Sequence, residues 1–215
     1  MRPNHYFPFV ALALSAMAVL LPSGPAHSAE SHHAHSATTA SVVETNAAMR
    51  DLWLGHVFWV RNVVESTLSD NSAAAKAAEE QVVANAKQIA SAIEPFYGKE
   101  ASDKLFGLLA GHYGAIKDYL AAQTPAAQDR AWTKIAANAG EIAVFLSGAN
   151  PNLPVDTLRG LLAAHGGHHV QQIQQLRAKD YAAEARTWDA MKQHMYVIAD
   201  ALTGAIAKQF PAKFA

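Results

Sequence analysis

The feature that most constrains this chain is that it repeats itself. A shift of 53 residues lays Asn85, Ile89, Ala90, Asp103, Leu105, Gly107, Leu108, Leu109, Ala110 and His112 on Asn138, Ile142, Ala143, Asp156, Leu158, Gly160, Leu161, Leu162, Ala163 and His165. Ten identities in about thirty ungapped positions imply a duplicated unit that meets the same packing problem twice. A third copy of the histidine segment lies earlier, where Leu52-Trp53-Leu54-Gly55-His56 matches Leu108-Leu109-Ala110-Gly111-His112 and Leu161-Leu162-Ala163-Ala164-His165. The repeated element is therefore Leu-x-x-[Gly/Ala]-His, and a polar residue, Asn85 or Asn138, stands in the segment that follows.

Apolar residues at spacings of three and four alternate with turn signals, and no segment shows the two-residue period of a strand. The expected class is all-α: a six-helix bundle of three tandem helical hairpins, repeating every 53–56 residues or so. Helices are expected at roughly 45–68, 74–93, 100–121, 126–146, 155–177 and 181–208. Ser69 to Ser72 offers a turn and an N-cap, Pro95 and Gly98 stop the second helix, and Thr124-Pro125 is a cap followed by proline at the first helical position. Gly148, Asn150, Pro151 and Pro154 close the fourth.

Helical spacing sets the histidines among apolar neighbours. His56 has Leu52 and Trp53 behind it and Trp59 and Val60 ahead; His112 has Leu108, Leu109 and Ile116; His165 has Leu161, Leu162 and Ile173. Each ring lies in the stripe that faces the core, and Asn85 and Asn138 sit likewise among Val82, Ile89, Ile135 and Ile142. Buried polar groups without partners cost on the order of 1–3 kcal/mol each, so these residues must satisfy one another or a ligand. If the copies converge, three imidazoles meet and suit a zinc, copper or iron ion. The simpler alternative is that each histidine bonds the Asn or Asp of its partner helix and fixes register.

Two further features favour metal. His165 and His169 are four apart on one helix face, with His168 adjacent, although Gly166 and Gly167 also suit a loosened helix or a close helix crossing. The tract Ser31-His32-His33-Ala34-His35 is of the kind that captures divalent ions weakly. Cleavage before Glu30 would also leave His32 third in the chain, able to form a square-planar copper or nickel site with the terminal amine, but cleavage after Ser28 fits the small-residue rule better. In the last helix two phasings are open: matching Trp132 with Trp188 puts His194 opposite Asn138, whereas matching Val83-Ala84-Asn85-Ala86 with Ile198-Ala199-Asp200-Ala201 puts Asp200 there. The candidate ligands are thus His56, His112, His165, His169 and His194, supported by Asn85, Asn138 and Asp200, with His32, His33 and His35 capturing ions in the leader.

The start of the chain reads as a secretory signal over residues 1–28: Arg2, an apolar run from Phe7 to Leu21 interrupted by Pro8, then Pro22, Gly24 and small residues. Residues 29–44 are rich in Ser, Thr, Ala and His and read as a flexible leader, and 45–215 as one helical domain. The expected location is periplasmic or secreted, with no membrane span after signal removal. With 17 basic against 18 acidic residues there is no electrostatic reason to expect nucleic acid. The absence of cysteine excludes thiolate metal sites, iron-sulfur clusters and cysteine nucleophiles.

Glu65, Glu94 and Glu141 are weaker candidates, because no Glu precedes a histidine by three as in carboxylate-bridged di-iron bundles. Gly-x-Ser-x-Gly, phosphate-binding glycine loops and His-Glu-x-x-His are missing too. Tyr97, Tyr113 and Trp132 read as packing residues.

Several elements resemble a family of small bacterial helical proteins with no assigned reaction: Leu52-Trp53-Leu54-Gly55-His56-Val57-Phe58-Trp59-Val60-Arg61, Pro95-Phe96-Tyr97-Gly98, Phe145-Leu146-Ser147 with Asn150-Pro151-Asn152, and Lys208-Gln209-Phe210-Pro211 with Phe214. The resemblance spans Met49 to Phe214 and implies the domain limits and a bacterial source. Its members similarly carry histidines within an apolar helix pattern. The leading expectation is an exported metal-binding bundle, with copper or zinc as cofactor and the ion as its partner. The alternatives are a structural or interaction bundle with internally bonded histidines, and a metal- or haem-dependent enzyme using the same rings.

Overall fold

The computed structural model describes the backbone of residues 30–214 and side chains from Ser41 onward. The expected signal segment lies outside the described residues, as do the side chains of His32, His33 and His35. The described chain is helical throughout, without strands, and no helix in it is long and apolar enough to cross a membrane. Five α-helices follow one another: α1 Glu30–Leu68, α2 Ser72–Ala121, α3 Pro125–Ala149, α4 Val155–Arg177 and α5 Tyr181–Gln209, with a short 3-10 turn at Pro211–Lys213.

Five replace the expected six because the break at Pro95 and Gly98 is a kink rather than a loop. Gly98 is the one residue of α2 outside helical geometry, at φ 81° and ψ 170°, and helix continues on both sides of it. Proline removes one backbone donor but leaves the flanking turns intact, so a single glycine suffices to redirect the axis. The first helix also begins earlier than expected, at Glu30, and covers positions that composition assigned to a flexible leader. No glycine or proline interrupts residues 30–44, and Ala34, Ala37 and Ala40 favour backward extension from the packed part of α1.

The other boundaries have the anticipated local causes. Side chains of Asn71, Thr124 and Asp180 accept hydrogen bonds from the amides of Ala74, Ala127 and Ala183, capping α2, α3 and α5. Neighbours in sequence pack together, and α5 packs on both α4 and α1, so the helices close into a ring.

Inside the ring the apolar residues form two clusters. One holds Trp53, Val57, Ile89, Leu108, Leu109, Ala139, Ile142, Leu162, Met191 and Met195, and the other Val60, Val82, Tyr113, Ile116, Ile135 and Ile173. Along each of α1, α2, α3 and α4 the chain passes from one cluster to the other, and the residues at the crossing are His56, Asn85, His112, Asn138, His165 and His169. A polar stratum therefore runs through the core.

The far end of the first cluster is closed by the segments on which the family resemblance rests. Asn150, almost wholly buried, donates from Nδ2 to the Tyr97 hydroxyl, which donates to Gln209 Oε1. Phe96 stacks on Phe214, and Tyr97 meets Phe210 edge-on. The kink at Gly98 delivers Phe96 and Tyr97 to this lock. On the other side of the polar stratum Glu184, 3% exposed, takes a two-pronged ion pair from Arg61 at 2.7 and 2.8 Å and a third bond from Gln172.

Two stability predictions follow from this frame. Gly98→Ala places a Cβ in open space but in a backbone region that L residues avoid, and should cost about 1–3 kcal/mol in chemical denaturation. Glu184→Gln leaves Arg61 with only Glu65, 2.8 Å away, as counter-charge; because that pair remains and Arg61 keeps some contact with water, the expected loss is about 1–2 kcal/mol, and an unchanged urea midpoint would show that the Glu184 pair contributes nothing.

Candidate metal centre

The site is assembled from three helices. His56 comes from α1, His112 from α2, and His165 and His169 from successive turns of α4, where the spacing of four keeps both rings on one face. All four residues are only 2–4% exposed. One nitrogen from each ring lies within 4.8 Å of the corresponding nitrogen on every other. The ring centroids are 4.5 to 6.1 Å apart across all six pairs.

These distances can be set against a metal site. Bonds of about 2.0–2.1 Å to a central ion put four tetrahedral nitrogens ~3.4 Å apart and the imidazole centroids ~5.2 Å apart. The rings thus have the spacing of a four-imidazole cage, and each nitrogen needs to move inward by no more than about 1 Å to close it. A cavity of ≈ 10 Å³ lies among His56, His112, His165, Trp53, Leu109, Ala139, Ile142 and Leu162. It opens on carbon atoms and does not reach His169, so it lies against one side of the cage and not at its centre.

The electrostatics leave the rings neutral. Burial pulls His56 down to about 3 from an ordinary 6.5, with His112 adding to the effect. Burial likewise pulls His112 down to about 4, opposed by the Asn138 amide close by. His165 and His169 are held well below the usual range, first by burial and then by the other rings. A neutral imidazole keeps a lone pair, which is the form a metal requires.

Each ring has at least one buried nitrogen that makes no hydrogen bond. His56 Nε2, both nitrogens of His112, His165 Nδ1 and His169 Nε2 are buried without a hydrogen bond. The alternative, in which Asn85 and Asn138 bond the histidines, is not what their amide nitrogens do. Asn85 Nδ2 donates to the Leu52 carbonyl at 3.0 Å, and Asn138 Nδ2 to the Leu108 carbonyl at 3.1 Å. Each acceptor lies one turn before a cage histidine, so the amide nitrogens fasten the neighbouring helix, while the rest of the Asn138 amide stays beside His112. The glycine that precedes His56 and His112 makes this possible: a Cβ at Gly55 or Gly111 would stand 3.1 or 3.2 Å from the Asn amide nitrogen.

The phasing of the last helix is settled by the same pattern. His194 Nε2 lies 2.8 Å from the Leu161 carbonyl, one turn before His165, in the place that Asn85 and Asn138 hold elsewhere. His194 is outside the four-ring group and only partly buried. Asp200 is neither a support nor the equivalent of the asparagines. It faces out between α1 and α5, taking a two-pronged ion pair from Arg50 and a bond from Asn46. Of the two glycines after His165, Gly166 marks a close crossing, since a Cβ there would come within 2.6 Å of Ile135 Cγ2.

No family model, curated protein or solved structure matches the chain.

The neutral cage makes the metal-free protein acid-sensitive. In the unfolded chain each ring takes a proton near 6.5, whereas in the folded chain His56 and His112 resist protonation down to about 3 and about 4, and His165 and His169 are also held well below 6.5. Unfolded protein therefore binds more protons below 6.5, and the stabilisation present above that value is lost as pH falls toward the folded values. The urea midpoint of metal-free protein is expected to drop steadily from pH 7.5 to pH 5, and a flat profile over that window would contradict the burial of the rings.

Proposed function

We propose that the protein is an exported helical bundle that holds a transition-metal ion through His56, His112, His165 and His169. The observation that carries this reading is the convergence of four neutral, buried imidazoles whose nitrogens lie within 4.8 Å of one another and lack hydrogen bonds. Retaining several unsatisfied polar atoms in a core costs on the order of 1–3 kcal/mol apiece, and ligation by an ion would remove that cost. Zinc suits the site best, because four nitrogen donors in a near-tetrahedral set match its preference, and copper is the second guest.

The geometry favours holding over turnover. Catalytic zinc sites keep three protein ligands and an open position, whereas four imidazoles fill a tetrahedral ion. A cavity of ≈ 10 Å³ also admits no substrate and no porphyrin, since small-molecule sites occupy several hundred Å³. Export rests on the sequence of residues 1–28, and the His-rich tract at His32, His33 and His35 would gather ions at the start of α1.

Purified protein equilibrated with zinc and then dialysed should retain one ion per chain by native mass spectrometry. It should melt higher than the metal-free form, by about 2.7 kcal/mol of added stability at a free zinc concentration a hundredfold above Kd. His112→Ala should lose the tightly held ion, and His56→Gln, which keeps more of the packing, should do the same if the alanine variant folds poorly. Wild-type protein that folds and retains no metal would leave a scaffold with an internal histidine layer.

A further inference from the structure

The cage has no visible way in, since each of its rings is almost fully buried. A functional metal site needs one. Beside it stands a second histidine pair that the four-ring site does not use. His168 on α4 and His194 on α5 face each other with ring centroids 5.5 Å apart, and both are partly exposed. Their spacing falls in the range shown by the cage rings and near the ~5.2 Å of two imidazoles on one ion.

His194 is also prepared for ligation. A carbonyl oxygen only accepts, so the contact to Leu161 requires the proton on Nε2 and leaves the lone pair on Nδ1. Fixing the tautomer through a carbonyl is how proteins orient a ligating histidine. The helix-fastening role does not itself call for imidazole, because Asn85 and Asn138 perform it at the two equivalent places. A histidine stands only where another histidine, His168, can face it.

We propose that His168 and His194 form an outer site that captures a divalent transition-metal ion from solvent and passes it to the buried cage. The inference rests on the reading of that cage as a metal site. The path is short: His168 adjoins His169 in the chain, and His194 is bonded one turn before His165. Gly166 and Gly167 lie just ahead of His168, and each glycine weakens a helix by about 1 kcal/mol relative to alanine. The same turn carries both an outer and an inner ligand, so little chain separates the two sites.

The test compares His168→Gln and His194→Asn with the otherwise wild-type full-length chain, all three carrying His32→Ala, His33→Ala and His35→Ala so that the leader adds no weak site of its own. The second variant installs the residue used at the equivalent positions, so the bond to Leu161 is kept while the imidazole is lost. Zinc titration of the metal-free protein should show one tight and one weaker class of site, and stopped-flow absorbance with cobalt(II) should report filling of the tight class. Both variants should keep the tight class, lose the weaker one and fill severalfold more slowly. Unchanged weak binding and unchanged filling rates in both variants would overturn the outer site. An otherwise wild-type chain with no tight class would instead overturn the buried cage, and the transfer with it.

Discussion

The structure depends on a stratum of imidazoles held in an apolar core without partners of their own. Two apolar clusters lie on either side of it, and every helix that crosses between them carries a polar residue at the crossing. Burial removes water and keeps the rings neutral, and neutrality preserves the lone pairs that would otherwise be protonated. The same low dielectric that makes the layer costly when empty would make it selective when filled, because only a species that meets several nitrogens at once recovers what desolvation cost.

Such a layer works only if the helices are held by something other than the histidines. The Asn85, Asn138 and His194 contacts to the carbonyls of Leu52, Leu108 and Leu161 supply that, each fastening a helix one turn away from a cage ligand. Fastening the helices and lining the cage are thus divided between different side chains. Arg61, Glu184 and Gln172 brace one side of the stratum, and the Asn150, Tyr97 and Gln209 lock closes the core beyond the other. Preorganisation of this kind reduces the ordering that binding would otherwise demand.

What was legible in the sequence is what repeats or lies within a turn. His56, His112 and His165 stood out because one element recurs three times, and His169 because it lies four residues from His165. The break at Pro95 and Gly98 was visible, but its form was not: whether helix resumes immediately after a breaker depends on packing beyond it, here the seating of Phe96 and Tyr97 against Phe210 and Phe214. The last helix leaves two phasings open in the sequence, and it takes the contacts of His194 with Leu161 and of Asp200 with Arg50, both distant in the chain, to decide between them. Glu184 was missed because its partner Arg61 is 123 residues away and no local pattern announces the pair. Asn85 and Asn138 are legible as core residues, but the sequence leaves their partners open, since a backbone acceptor leaves no mark in a sequence.

The chemistry of the cage also fits the compartment proposed for the chain. Thiolates bind zinc and copper strongly but oxidise to disulfides outside the cytosol, and a site built on them would lose its ligands there. Imidazole has no such redox chemistry, so a cage without cysteine holds its ion independently of the surrounding potential. Its cost is proton sensitivity in place of redox sensitivity, and burial limits that cost by drawing the rings far below neutral pH. A cysteine-free bundle that hides four histidines between apolar layers would therefore be a coherent way to keep a metal ion where thiols fail, with the partly exposed pair His168 and His194 beside it.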